Sequence, residues 1–285
     1  MKQFYHFVFL STLLFLLSCD KEELKAPIPA YLTIDDVRVN TTLEVEGSAS
    51  DNITDIIVFI NDQSLGFFEL PASIPIQQTG PVNLKIRGVI QVNGQSNNKE
   101  QYPFYTTFEL DTIFVPEQEM VLSPEVEYFK TIDFTEPWSG EDFESGINFI
   151  YNPNSDTSFV RETNSVDVFE GTASGRGSLL AEQTLFEAWT PTFSNIPRNG
   201  TAVFLELNYK STHNFVIGIY ANGQTFESAI VFFRPQSDWT KVYVDLGNVF
   251  STLSTSSDFN ISFGYQKAKG TPGTLLIDNV KILHY

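Results

Sequence analysis

Strict alternation of apolar and polar residues, broken at intervals by turn chemistry, is the feature that most limits what this chain can fold into. Along Val82-Asn83-Leu84-Lys85-Ile86-Arg87 every second residue is apolar. A strand would therefore carry Val82, Leu84 and Ile86 on a core face and their neighbours in water. Lys241-Val242-Tyr243-Val244-Asp245-Leu246 repeats the pattern, with Val242, Val244 and Leu246 as the predicted core face. No stretch after residue 24 carries a sustained helical stripe. The patterned runs are filled by β-branched residues and by many of the 26 Phe and 11 Tyr, which suit a pleated, half-buried surface. Asn93-Gly94 and Asn222-Gly223 lie between such runs and favour tight hairpins, and Asn61-Asp62-Gln63 is a further turn signal. The chain is predicted to be all-β. It has one cysteine, so no intramolecular disulfide can form and the fold must stand on its cores.

The 285 residues leave room for two ordinary domains. The first is expected over residues 31–115, with strands at Tyr31–Val39, Thr42–Gly47, Ile56–Ile60, Val82–Val92 and Tyr105–Val115. Short strands at this spacing resemble an immunoglobulin-like β-sandwich in pattern only, because the cysteine–tryptophan core signature is absent. Residues 116–127 hold four acids, two prolines and little periodicity, and read as an interdomain linker, with packing against either neighbour as the alternative. The second domain is expected over residues 128–285. Its strand candidates are Thr201–Tyr209, Asn214–Tyr220, Ala229–Arg234, Lys241–Leu246, Asn260–Tyr265 and Leu275–Leu283, and eight or so strands over this length fit a β-jelly roll.

The chain opens with Lys2 and an apolar run, Phe4 to Leu17, too short to span a membrane as a stable helix. The run ends in Leu16-Leu17-Ser18-Cys19. This resembles the lipobox of bacterial lipoproteins, and the resemblance implies that residues 1–18 are a signal peptide cut before Cys19, which is then acylated. Asp20-Lys21-Glu22-Glu23 resembles the surface-export signal of Bacteroidetes lipoproteins. That resemblance implies a lipid-anchored protein displayed on the cell surface at the outer membrane; the other reading is a solvated acidic tether. Residues 19–30 would then carry the acylated cysteine and a proline-containing tether. Asp111-Thr112-Ile113 resembles the O-glycosylation site of exported Bacteroidetes proteins, with Thr112 as the acceptor; an edge-strand threonine is the alternative.

Four motifs recur in order in the second half: Asp142-Phe143-Glu144-Ser145-Gly146, Val168-Phe169-Glu170-Gly171-Thr172-Ala173-Ser174-Gly175, Asp238-Trp239-Thr240-Lys241-Val242 and Leu276-Ile277-Asp278-Asn279-Val280. The series resembles the β-jelly-roll carbohydrate-binding modules and the wider galactose-binding-like domains. In those families the opening and closing motifs sit side by side and often share a structural calcium ion. The resemblance implies Glu144 and Asp278 as carboxylate ligands, with backbone oxygens near Glu170 and Gly171 completing the shell. The residues add an argument for Asp278: alternation puts it on one face with Leu276, Val280 and Ile282, where an ionised carboxylate is costly unless a cation or several donors satisfy it. A hydrogen bond to a neighbouring turn, or a bulge that turns it outward, would serve equally.

Sugar binding needs flat aromatic platforms with polar groups beside them. Trp138 and Trp189 are the candidates, and the alternative for each is a ring capping the end of the sandwich. Trp239 opens a core strand and is expected to be packed. Catalysis finds little support: the three histidines, His6, His213 and His284, have no zinc spacing, and no serine elbow or phosphate-cradling loop is present. A net charge of −18 leaves no electrostatic footprint for nucleic acid. The expectation is a non-catalytic surface lipoprotein. Its favoured role is a binding or scaffold subunit of an outer-membrane protein complex, and the alternative is capture of polysaccharide.

Overall fold

The structure is a computed structural model that describes residues 28–78, 80–223, 228–253, 256 and 258–285. Cys19 and the Asp20–Glu23 segment lie outside the described residues. Among those described, no helix is long and apolar enough to cross a membrane.

The first half contains β1 (Ala30–Ile34), β2 (Arg38–Asn40), the one-turn helix α1 (Leu43–Glu46), β3 (Ile53–Ile60), β4 (Gln63–Glu69), β5 (Ala72–Ile76), β6 (Gly80–Gln91), β7 (Lys99–Gln101), β8 (Phe108–Phe114), β9 (Glu119–Leu122) and β10 (Glu125–Glu127). One sheet runs β4-β3-β6-β7, with β8 also on β6; a second runs β5-β1-β9; a short pair joins β10 to β2. Val82, Leu84 and Ile86 are buried between the sheets as the alternation requires. Asn61, Asp62, Asn93 and Gly94 all adopt left-handed backbone conformations, the geometry of the tight hairpin turns that such residues favour.

Two expectations fail here. Thr42–Gly47 is not a strand but contains α1, in which Leu43 and Val45 are each 63 % exposed and Glu46 is the buried residue. Glu46 turns inward because its Oε2 accepts the Thr42 backbone N–H at 2.7 Å, which replaces the strand pairing that alternation suggested. Residues 116–127 are not aperiodic but pack against the first half, the alternative left open for them. They supply β9, parallel to β1, and β10, parallel to β2. The acids there sit at outward positions of half-buried strands, with Val126 buried, so a short amphipathic edge was hidden by its charge.

The second half contains β11 (Ile150–Tyr151), β12 (Val160–Glu162), β13 (Ser174–Leu179), β14 (Leu185–Trp189), β15 (Val203–Ser211), β16 (Phe215–Ala221), β17 (Ser228–Phe233), β18 (Gln236–Asp245), the short helix α2 (Gly247–Thr252), β19 (Phe259–Gln266) and β20 (Gly273–His284). They form two antiparallel five-stranded sheets, β11-β14-β19-β16-β17 and β12-β13-β20-β15-β18. The inward faces meet in one core around the rings of Phe143, Phe149, Phe159, Phe186 and Phe263. Gly175 is needed on β13, because a Cβ there would lie 2.2 Å from the Phe143 ring. The fold is all-β, as predicted: a β-sandwich followed by a jelly-roll-like sandwich.

The two outer faces of the second sandwich have different fates. That of β12-β13-β20-β15-β18 is largely covered by the first half of the chain. Phe204, Tyr243 and Leu283 point out of this sheet and join the first half's core. At the centre of the contact Glu206 is fully buried. Lys241 Nζ lies 2.7 Å and Lys281 Nζ 3.7 Å from its Oε2, and the hydroxyls of Tyr102 and Tyr128 donate to its carboxylate at 2.6 Å and 2.9 Å. Burial alone would push Glu206 up; the two ammonium charges and the hydroxyls outweigh it and hold the carboxyl well below its ordinary value. Hydrogen bonds to backbone carbonyls extend the contact, with Asn93 N–H donating to the Tyr243 carbonyl at 2.8 Å and Lys281 Nζ to the Glu46 carbonyl at 2.9 Å.

Candidate functional site

Among the described residues the first half does not cover the outer face of β11-β14-β19-β16-β17, although Gly218, Ser262 and Gly264 within it are buried. Phe186 and Ala188 point into the core, so Leu185, Glu187 and Trp189 point out. By the same alternation β16 presents Val216, Gly218 and Tyr220, and β19 presents Asn260, Ser262 and Gly264. Trp189 pairs with Ser262, and Ser262 with Gly218, so the floor beside the indole is made of small residues.

Trp189 and Tyr220 pack against each other with ring centroids 4.9 Å apart and planes inclined at 52°. Glu187 Oε1 orders both. It accepts the Trp189 indole N–H at 2.5 Å, the Tyr220 hydroxyl at 3.0 Å and the Asn152 side-chain amide at 2.7 Å. Asn260 is held nearby, its amide donating to the Thr190 carbonyl and the Thr192 hydroxyl, each at 2.9 Å. Two half-buried rings with fixed edges, next to carboxylate and amide groups over a floor without bulk, form a surface on which the C–H face of a sugar can stack while its hydroxyls find partners.

The sequence candidates divide. Trp189 lies on this face. Trp138 does not: it is 8 % exposed, packs edge-to-face on Phe149 at 5.8 Å, and belongs to the sandwich core. The 139–148 segment that follows it pairs with β20 through Glu141 and Val280. Trp239 packs on Phe169 at 5.4 Å. Thr112 is half-buried on β8, its hydroxyl 3.8 Å from Met120 Sδ. Tyr220 and Glu187 were missed. Only the cross-strand register brings Tyr220 to Trp189, whereas Glu187 lies two residues from it on β14, a strand absent from the sequence expectation.

Glu144, Glu170, Gly171 and Asp278 do converge, at one end of the sandwich. Glu144 accepts the Thr172 and Ala173 backbone N–H groups at 2.8 and 3.1 Å and the Thr172 hydroxyl at 2.6 Å. Burial would push its carboxyl up, but these donors outweigh that and hold it down. Gly171, with φ +65°, lies against the Glu144 carboxylate, where a Cβ would come within 2.3 Å of Oε1. Glu170 accepts the Asn279 amide at 3.1 Å.

Asp278 is 1 % exposed and accepts the Ser174 hydroxyl at 2.6 Å and the Asn279 backbone N–H at 2.8 Å. It does not share a face with Val280 and Ile282. Asn279, at φ +52°, starts a bulge against β15 that leaves Asp278 on the outer face while Val280 and Ile282 stay in the core. Burial pushes Asp278 up to about 7, against the lowering effect of its donors. The oxygens of Glu144 and Asp278 are thus engaged by N–H and O–H donors. Among the described residues no group of three or more His, Cys, Asp or Glu is arranged to hold a metal. The donor set as it stands does not fit calcium, which takes six to eight oxygens.

No family model matches the sequence, and no curated protein matches it. Solved structures similar in shape include a carbohydrate-binding module of the β-sandwich superfamily described for promiscuous specificity. It is 12 % identical with a TM-score of 0.41, over 81 % of this chain and 85 % of that one. A module in complex with β-1,4-galactotriose is 12 % identical, with a TM-score of 0.37, over 50 % of this chain and 94 % of that one. A family 11 module from Clostridium thermocellum, in complex with a mixed-linked tetrasaccharide, is 14 % identical with a TM-score of 0.33, over 50 % and 92 %. At these values the likeness does not say what this chain binds.

Proposed function

We propose that this chain is a non-catalytic glycan-binding protein that holds a saccharide on the open face of β11-β14-β19-β16-β17. The observation that carries this reading is the Trp189–Tyr220 pair, fixed by hydrogen bonds from both rings to Glu187 on a face that, among the described residues, the first half does not cover. A scaffold role is less well supported, because the outer face of the other sheet is already occupied by the chain's own first half. The lipobox-like Leu16–Cys19 and the following Asp20–Glu23 support anchorage by an acylated Cys19 and display at the outer surface, where polysaccharide would be met.

Affinity electrophoresis of the full chain against a panel of neutral polysaccharides tests the binding. Retardation by at least one polymer, lost in Trp189→Ala and in Tyr220→Ala while folding is retained, is the expected result. A panel that retards neither the wild type nor the variants refutes it. For the anchor, incorporation of radiolabelled palmitate into the wild type but not into Cys19→Ala is expected.

A further inference from the structure

The second sandwich has an open side where β17 and β18, the edge strands of its two sheets, lie next to each other. The Asn93-Gly94 turn of the first half reaches over this side. Gly94, at φ +64°, is so close that a Cβ would lie 3.0 Å from the Phe233 ring. The turn is locked by Asn93 N–H on the Tyr243 carbonyl at 2.8 Å and by Asp245 N–H on Asn93 Oδ1 at 3.0 Å. Between turn and strands runs a cavity of about 460 Å³ lined from both halves.

Its free polar groups are distinctive. The side-chain amides of Gln91, Gln95 and Asn97 have no hydrogen-bond partner among the described residues, and neither does the Arg234 guanidinium. Every other Lys and Arg among the described residues touches a carboxylate, a carbonyl or a ring. Arg38, Lys85, Lys99, Lys130, Arg176, Lys210, Lys241, Lys269 and Lys281 pair with acids. Arg87, Arg161, Arg198 and Lys267 use an amide, carbonyls or a ring. In a chain with 35 acids and 17 basic residues, an arginine left without a partner is the exception.

The cavity also continues the candidate site. Phe232, 72 % exposed, pairs with Val216, which pairs with Gly264, which pairs with Glu187. These four residues form one row across the open face, so Phe232 lies about 14 Å from Glu187, three strand spacings away. The row through Trp189 runs over Ser262 and Gly218 to Ala229, so a saccharide leaving the Trp189–Tyr220 pair would have to cross the face diagonally, past Glu187 and Phe232, to bring a later unit to Arg234.

We propose that this cavity is a second saccharide subsite, selective for a sugar that carries a carboxylate. The planar guanidinium fork matches a carboxylate bidentately, and the three amides suit ring hydroxyls. The ligand is a glycan with isolated uronic acids rather than a polyuronate, because a chain this acidic repels a polyanion, whereas a single carboxylate is attracted within about a Debye length of Arg234. The proposal rests on the glycan-binding reading, and the experiment separates the two.

The full chain is labelled with nitrogen-15 and titrated with methyl glucuronide and, separately, with methyl glucoside. The side-chain N–H signals of Arg234 and Trp189 are followed. Methyl glucuronide is expected to shift the Arg234 signal with an affinity about tenfold or more above that of methyl glucoside. The difference is expected to shrink with added salt and to vanish in Arg234→Gln, while Trp189 responds alike to both sugars. An Arg234 signal that neither sugar moves, or that both move equally, overturns the proposal. If Trp189 still shifts in that case, the glycan reading survives; if neither signal moves with either sugar, both are overturned.

Discussion

The two outer faces of the second sandwich are built from the same kind of strand and end in opposite environments. On β15, β18 and β20 the outward side chains are Phe204, Glu206, Lys241, Tyr243, Lys281 and Leu283, and all are buried beneath the first half. On β14, β16 and β19 they are Glu187, Trp189, Tyr220 and Asn260, and all stay partly in water. Both faces place aromatic rings around a carboxylate. Covered, the carboxylate needs two ammonium groups and two hydroxyls to be tolerated. Open, one carboxylate orders two rings and leaves them accessible. Aromatic content therefore does not mark a binding face; what lies over it does.

That comparison breaks most sharply at Glu206. Replacing it with alanine leaves Lys241 and Lys281 buried without a counter-charge. Removing one partner of a buried pair costs about 3–5 kcal/mol, and that loss is expected in denaturant unfolding of Glu206→Ala. A loss below about 1 kcal/mol would mean that water reaches the contact and that the two faces differ less than the structure shows.

Asp278 lies on the outer face of the covered sheet and gives the next effect. Its folded pKa of about 7 lies above its ordinary 3.8, so the folded state binds the extra proton between those values. The associated stability is full below pH 3.8 and is lost as pH rises through about 7, by roughly 2–4 kcal/mol in all. Asp278→Asn should abolish this dependence and be more stable than the wild type at pH 8. Calcium should leave the melting temperature at pH 8 unchanged. A rise in the wild type that is absent from Asp278→Asn would restore calcium as a ligand of this corner.

The open face is sharpened by Trp189→Ala. It should weaken glycan retention about tenfold or more, roughly 1.4 kcal/mol, while stability changes little, because the ring is half-exposed. A large loss of stability with unchanged retention would make Trp189 a packing residue like Trp138. The smallest effect is expected at the clasp between the halves. Gly94→Ala puts a side chain at φ +64° against Phe233 and should cost about 1 kcal/mol or slightly more in thermal unfolding.

Much of the fold was legible because strands announce themselves locally. The core face of β6, the core face of β18 and the Asn-Gly turns at 93–94 and 222–223 all follow from period and turn chemistry alone. The failures share a cause. Leu43–Glu46 alternates but closes into α1 through a side-chain bond to Thr42. Residues 119–127 alternate weakly because acids occupy their outward positions. For Asp278 alternation left a core position and an outward bulge both open, and only the pairing with β15 shows that Asn279 bulges.

The candidate site divides in the same way. Trp189 was a candidate from residue type alone; that Glu187 shares its face follows only once Leu185–Trp189 is known to be a strand. The arrival of Tyr220, the burial of Trp138 and the placing of Phe232 and Arg234 across the sheet from Glu187 depend on contacts between segments far apart in sequence. By itself, the sequence determined the all-β class, the faces of strongly alternating strands such as β6 and β18, and the Asn-Gly turns, because these depend only on neighbours along the chain. Tertiary structure alone decided which face is covered, because burial is settled by what packs on a surface. Here the first half of the chain lies on one sheet of the second sandwich and leaves the other open.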